Sequence, residues 1–278
     1  DATKVFSVMS GVSKDDFFLY LNDKKKCNKK LFKVIVIPTT SGTGAEVTPF
    51  ATVWDEQNKR KMSLSSPFLY PDYAIVDPAL TLTLNLRTTA ITALDALSHS
   101  FESLWNVNSN AYTDALSTSN IVTILDNLPN LLHDLSNLDL RNKLSCSSYI
   151  AGICISITKT ALAHSISYPL TSHLKVPHGL ASGIFLPEIL KFNNKHDKSG
   201  GMTKISNILV SGVAVEKKLN DLFSELYRLG IFDEILKHKP NIYSLIPEME
   251  NPSRSKNNIV QINSSKLKFI IDSFYEKY

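Results

Sequence analysis

Val5, Val8 and Met9 fall on one helical stripe near the start of the chain and Gly11 marks a stop, so the pattern predicts a helix there. A polar, lysine-rich connection follows to about Lys30. Val34-Ile35-Val36-Ile37 then runs uninterrupted to Pro38, which reads as a strand buried on both faces. Thr39 to Glu46 is too rich in Gly and Thr for regular structure and predicts a loop. Shorter strand-like stretches follow at Thr48 to Trp54 and Tyr73 to Val76, the second closed by Asp77-Pro78. From Arg87 onward helical patterns dominate: through Leu132, from about Arg141 to Leu170, and in several segments down to Tyr278. The predicted organisation is an α/β portion over residues 1–84 and an all-helical portion over 85–278. Nothing strand-like precedes the first helix, and one or two helix-to-strand units do not make a stable sheet. The α/β portion therefore reads as N-terminally incomplete.

Composition leaves this picture in place and excludes others. Of 278 residues 43% are apolar and 20% charged, with 10 Gly and 12 Pro, which is globular rather than disordered, collagen-like or coiled-coil. Thirty Lys and Arg against 26 Asp and Glu give a net charge of +4. The densest basic run, Lys24-Lys25-Lys26 with Lys29-Lys30, reads as a solvated loop; a nucleic-acid surface needs basic residues over a whole face. No apolar run approaches the roughly 20 residues that span a bilayer, and no signal-peptide pattern opens the chain. Cys27, Cys146 and Cys154 are odd in number and lack C-x-x-C spacing, so they read as buried or incidental thiols of a reducing, cytoplasmic compartment.

Candidate chemistry starts between Ala93 and Glu102. Asp95 and His99 are four apart in a helical pattern, so they project from one face within reach of a common ion. Taken alone, such a pair reads as a surface contact. A second segment changes that reading, because His164 and His178 lie in apolar context separated by prolines. Pro169 is expected to limit the helix that carries His164, and Pro177 to open a new one. The chain can then turn back and set His178 beside His164. One carboxylate and three imidazoles (Asp95, His99, His164, His178) suit Fe²⁺ or Zn²⁺, with a position open for a substrate oxygen. Ligand imidazoles must be deprotonated, so metal affinity is expected to fall below about pH 6. His173 has no partner at helical spacing, and His133, His196 and His238 sit among polar residues and read as surface.

At this point the sequence resembles a known family, the iron-containing (group III) alcohol dehydrogenases. The resemblance is carried by Pro38-Thr-Thr-Ser-Gly-Thr-Gly-Ala-Glu-Val-Thr48, Asp77-Pro-Ala-Leu-Thr-Leu-Thr-Leu84 and Asp95-Ala-Leu-Ser-His99. It is also carried by the fourteen-residue step from His164 to His178, ending in Pro-His-Gly, and by Asn257-Asn258 before a last helix. The resemblance implies a partial Rossmann-like NAD(P)-binding domain followed by an all-helical metal-binding domain, the dehydroquinate synthase-like fold. It implies Asp95, His99, His164 and His178 as metal ligands. Thr39, Thr40, Thr43, Thr48 and Lys61 would line the dinucleotide, with Leu80 and Thr83 near the nicotinamide end. Asp1 would close a Gly-Gly-Gly-Ser-x-x-Asp phosphate-binding motif. The implied activity is hydride exchange between NAD(P)H and a small aldehyde or alcohol, with the metal as Lewis acid, in a homodimer.

Two departures bear on these expectations. Gly-Gly-Gly-Ser and the strands before it are not in this chain, so it is expected to be a piece of a longer protein, or a member that binds cofactor poorly, or a non-catalytic remnant kept for metal binding or oligomerisation. Tyr168 stands where many members carry a histidine that helps relay a proton, and a phenol is a weaker relay near neutral pH. On the substrate side, Ile157-Thr158-Lys159-Thr160-Ala161 is predicted one to two helical turns before His164. A lysine there is costly to bury without an anionic partner, so Lys159 reads either as a solvated stem or as an anchor for an acidic group. Thr158-Lys159-Thr160 with Ser165 to Thr171 resembles the branch that reduces phosphonoacetaldehyde; Lys159, as the anchor, and Tyr168, at the relay position, are the catalytic-site candidates. The alternative is a general primary-alcohol or lactaldehyde reductase of the same family. Glycerol dehydrogenase and dehydroquinate synthase share the architecture but fit the 38–48 loop less well.

Overall fold

A computed structural model describes residues 1–21, 25–55 and 60–278, without the side chains of residues 14, 15, 55, 60 and 61. Helix α1 (Ala2–Met9) buries Val8 and Met9, and Gly11 at φ 80° turns the chain after it. The lysine-rich stretch that follows is not all connection. Helix α2 (Lys14–Leu21) forms there because Phe17 and Leu21 recur one turn apart and pack beside Val8 and Met9. Strand β1 (Ile35–Val36) pairs in parallel with β4 (Tyr73–Ala74), while β2 (Phe50–Asp55) pairs antiparallel with β3 (Arg60–Ser65). The expectation of a strand buried on both faces is corrected: Val34 is buried, but Ile35 is 58% and Ile37 49% exposed. Among the described residues β1 has one paired neighbour, so nothing covers its outer side chains. A small core of Val8, Met9, Leu21, Ala51, Leu64 and Leu69 holds this portion together.

The helical portion opens with α3 (Leu86–Leu104), α4 (Ala111–His133), α5 (Leu138–Thr158), α6 (Leu162–Leu174), α7 (His178–Gly183) and α8 (Leu186–His196). Shorter helices follow, and Ser264–Lys277 is the last. A hairpin of Leu209–Val210 with Val213–Ala214 interrupts the all-helical expectation. Asn85 caps α3 by accepting from the Thr88 amide. Every residue of α3 from Ala93 to Leu104 is buried, so this helix is the centre of the bundle. Leu94, Leu97, Phe101 and Leu104 each gain about 1.5–3 kcal/mol from that burial. Asp95, His99 and Glu102 on the same helix lose hydration and must be compensated by partners.

Two sequence expectations about helix ends are corrected. Pro169 does not end α6, which continues to Leu174; its missing N–H concerns only the Ser165 carbonyl, and buried Ile166 and Leu170 hold the helix. Lys159 is not inside a helix: α5 ends at Thr158, and α6 leaves at 105° to it. Pro177 does stand at the start of α7 as expected. Among the described residues no single helix is long and apolar enough to cross a membrane.

The two portions meet where the Thr-rich loop docks on α5. Gly44 has φ 59°, and a Cβ placed there would lie 2.4 Å from the Gly152 Cα, so the contact exists only between two glycines. Ser41 Oγ and Ser145 Oγ, 2.9 Å apart, fasten the same seam.

Candidate metal centre

Asp95 and His99 occupy successive turns of α3, and His164 reaches them from α6. Asp95 Oδ1 lies 3.7 Å from His99 Nε2 and 3.5 Å from His164 Nε2, and the two Nε2 atoms are 3.1 Å apart. Donors held at about 2.1 Å around a tetrahedral ion stand about 3.4 Å from one another. The buried triad therefore has the spacing of a ligand set, and its chemistry suits a borderline divalent cation. His178 opens α7 with its ring 5.3 Å from that of His164, edge-on, beside the close group of three rather than within it.

Glycine brings His178 this near. A Cβ on Gly179 would meet the Ile91 carbonyl oxygen at 2.1 Å, and one on Gly183 would meet Leu94 Cβ at 2.7 Å. Ser182, one turn beyond His178, donates to Asp95 Oδ1 at 2.8 Å and orients the carboxylate. Gly179→Ala is expected to push α7 off α3, lowering stability by about 1–3 kcal/mol and reducing metal content per chain. Thermal melts and metal analysis after dialysis measure both; a variant that melts and loads like the parent would show that this contact does not position His178.

Glu102, which sequence reading passed over, completes the centre. Its Oε2 accepts from His164 Nδ1 at 2.6 Å and its Oε1 from the His164 amide at 3.1 Å. Nδ1 thus carries the hydrogen and Nε2 faces Asp95 and His99, an arrangement that orients metal-binding histidines. Burial would lower His164, but Glu102 and Asp95 outweigh it and push the imidazole up to about 10. For Asp95 burial acts upward, yet the imidazoles of His99, His164 and His178 hold the carboxyl well below the usual carboxylate range. Glu102 is likewise held low by His164 against its own burial. The sequence signal for Glu102 is a carboxylate one turn after His99 in an apolar stretch.

The triad opens into a cleft of about 640 Å³ that Asp1, Thr43, Thr48, Lys159, Tyr168 and Arg254 help to line. Thr39, Thr40, Leu80 and Thr83 lie outside that lining, and the Lys61 side chain is outside the described residues. Asp1 Oδ2 accepts from the Thr52 amide at 2.9 Å. Thr48 is anchored by Lys4, a second residue that sequence reading missed. Lys4 is buried, and its Nζ donates to Thr48 O at 2.8 Å, Thr48 Oγ1 at 3.1 Å and Phe50 O at 3.0 Å. Burial brings its ammonium down to about 8, with Glu46 opposing. The signal for it is its place one turn before Val8 on the buried stripe of α1. Tyr168 accepts from Arg254 Nε at 3.1 Å, and its ring lies 6.4 Å from that of His178. Lys159 is exposed, so the burial cost anticipated for its ammonium does not arise. His173 pairs with Glu248 and His133 with Glu225, both at 2.9 Å and away from the triad.

Comparisons with known proteins agree with this architecture. The family model described as the Fe-containing alcohol dehydrogenase family, C-terminal, matches residues 89–235, and that for iron-containing alcohol dehydrogenase matches residues 1–78. A phosphonoacetaldehyde reductase of Streptomyces viridochromogenes is 36% identical over 162 residues, 58% of this chain and 41% of its own. The probable alcohol dehydrogenase EutG of Escherichia coli is 30% identical over 235 residues, 76% of this chain and 59% of its own. The chain thus spans less than two thirds of the length of these curated relatives. The crystal structure of a sulfoacetaldehyde reductase from Bifidobacterium kashiwanohense in complex with NAD⁺ superposes with a TM-score of 0.83 at 25% identity, covering 99% of this chain and 73% of that one. The chain belongs to the iron-containing alcohol dehydrogenase family.

Proposed function

We propose that Asp95, His99, His164 and His178 hold a divalent ion, Fe²⁺ or Zn²⁺, and that the chain carries the metal site of an NAD(P)-dependent reductase of small aldehydes, with phosphonoacetaldehyde as the favoured substrate. The observation that carries this reading is the buried Asp95–His99–His164 triad at the floor of a cleft. When bound, the ion supplies Lewis acidity toward a carbonyl oxygen and the reduced nicotinamide supplies the hydride. Glu102 keeps the hydrogen on His164 Nδ1 and so leaves Nε2 for the ion. Asp95, oriented by Ser182, offsets part of the ion's charge. Tyr168 is assigned the exchange of a proton with the substrate oxygen at its phenol OH. Asp1, Thr39, Thr40, Thr43, Thr48, Lys61, Leu80 and Thr83 are assigned to the dinucleotide. The similarity to reductases named for a phosphono- and a sulfo-aldehyde supports an acidic substrate.

A second reading, a neutral primary alcohol or aldehyde, is favoured by the solvent exposure of Lys159 and by the similarity to a probable alcohol dehydrogenase. A substrate panel separates the two. With protein loaded with Fe²⁺ or Zn²⁺, NAD(P)H consumption is followed for phosphonoacetaldehyde and sulfoacetaldehyde against propanal and lactaldehyde. Lys159→Ala is expected to raise KM for phosphonoacetaldehyde about tenfold or more, the loss of one contact to a charged group, and to affect propanal far less. Equal factors on both favour the neutral substrate, and no turnover of any aldehyde overturns the reductase assignment.

A further inference from the structure

Lys159 follows the end of α5 at φ 64° and ψ 169°. Positive φ with extended ψ is a region that glycine enters freely and a residue with a Cβ does not. Such strain persists only where the surroundings over-determine it. Here three consecutive carbonyls are each taken by a side-chain amide from a distant segment. Asn108 Nδ2 donates to Thr158 O at 3.2 Å, Asn106 Nδ2 to Lys159 O at 3.0 Å, and Asn257 Nδ2 to Thr160 O at 2.8 Å. The donors are themselves linked, since the Val107 amide donates to Asn257 O at 2.9 Å and Asn106 bridges Asn258. Glycine at this corner would relax it. The chain carries a lysine instead.

The side chain displayed in this way is exposed and lines the cleft that holds the histidine triad. Arg254, three residues before Asn257, lines the same cleft, and its Nε is directed by the Tyr168 oxygen. The carboxylates among the described lining residues are engaged elsewhere: Asp95 with its histidines, Asp1 with the Thr52 amide. Lys159 and Arg254 thus line the cleft together with Lys256, and among the described residues no ion pair ties any of the three to a carboxylate. A guanidinium fork takes two oxygens of a tetrahedral anion, and an ammonium adds a point charge to a third.

We infer that Lys159 and Arg254 form an oxyanion subsite for a tetrahedral head group, phosphonate or sulfonate, and that the strained corner clamped by Asn106, Asn108 and Asn257 exists to hold the ammonium in the cleft. The inference rests on the aldehyde-reductase reading for the other end of the ligand, but the anion end is testable by itself.

The test is calorimetric titration of the metal-loaded chain with methylphosphonate, methanesulfonate and ADP, alongside thermal melts, for the parent and for Lys159→Gln, Lys159→Gly and Arg254→Gln. Methylphosphonate is expected to bind more tightly than methanesulfonate, because two cations match a dianion. Lys159→Gln and Arg254→Gln each weaken methylphosphonate at least tenfold with metal content retained. Lys159→Gly weakens it equally yet raises Tm, since glycine relieves the strain. A residue with a purely structural role would not lose affinity while gaining stability. Unchanged Tm in Lys159→Gly, equal methylphosphonate affinity in parent and variants, or displacement of methylphosphonate by ADP each overturns the inference, the last by giving the subsite to the dinucleotide. Binding that depends on Lys159 in a chain that reduces no aldehyde would sink the reductase reading and leave this one standing. Reduction of propanal with methylphosphonate binding indifferent to Lys159 would do the reverse.

Discussion

Alanine in place of His164 is expected to strip the protein of its metal, whereas His173→Ala retains the parent stoichiometry. His164 supplies an Nε2 that faces two other donors at 3.1 and 3.5 Å. His173 sits in a pair with Glu248 away from the cleft. His178→Ala is expected to lose metal as His164→Ala does. Metal analysis after dialysis decides the matter: full stoichiometry in His164→Ala, or loss in His173→Ala, would remove the ligand assignment. The pH dependence follows from the same pair. In the metal-free protein His164 is pushed up to about 10, mainly by Glu102 against its burial, so the ion must displace a proton from Nε2 through the neutral range. Metal affinity should therefore climb about tenfold per pH unit between pH 7 and 9, rather than levelling off near the unperturbed imidazole value. Stability of the metal-free protein runs the other way. A folded value above the unfolded 6.5 contributes stability that is fully present below pH 6.5 and is lost as pH rises toward 10. Opposite slopes for metal affinity and metal-free melting are the signature; parallel slopes would contradict it.

Glu102→Ala is expected to have the largest effect on stability. It leaves a buried, protonated His164 with half its compensation gone, and breaking such a pair costs about 3–5 kcal/mol. In a domain of this size that is a fall in Tm of roughly 10 °C. Metal affinity should fall about 10–100-fold, because Nε2 is no longer oriented through Nδ1. Glu102→Gln keeps a hydrogen-bond acceptor for Nδ1 and loses only the charge, so it should fall between the parent and Glu102→Ala. Urea melts of dialysed protein and competition with a chelator measure the two quantities separately. Parent-like melting of Glu102→Ala, or metal affinity within twofold, would show that the carboxylate neither compensates nor orients His164.

Several features were legible in the sequence because their cause is local. Asp95 and His99 can be paired from spacing alone, since a helix returns to the same face every 3.6 residues. The start of α7 at His178 follows from Pro177, and the irregular stretch at 39–44 from its Gly and Thr content, although the loop expected through Glu46 gives way to a 3₁₀ turn at Ala45–Val47. Strand β3 was not legible: of Arg60 to Ser65 only Met62 and Leu64 are apolar, and its pairing with β2 sets the extended state. Helix α2 was hidden by the lysines around it, and its packing on α1 reveals it.

What the sequence by itself determined is the shared helix face of Asp95 and His99, the predominance of helix after Arg87 and the start of α7 at His178, because periodicity and turn chemistry are properties of neighbouring residues. Which donors meet was decided by tertiary structure. Glu102 and His164 are 62 residues apart, as are no two positions that helical periodicity can relate, and only the crossing of α6 over α3 joins them. Lys4 and Thr48, 44 residues apart, meet only when α1 packs beside the β2–β3 hairpin. The conformation of Lys159 is the clearest instance. Its own residue type argues against positive φ, and its backbone is held by amides 50 to 97 residues from the carbonyls they bind. Long-range hydrogen bonds that override a local preference leave no trace in local sequence, because their energy exists only once the distant segments are packed.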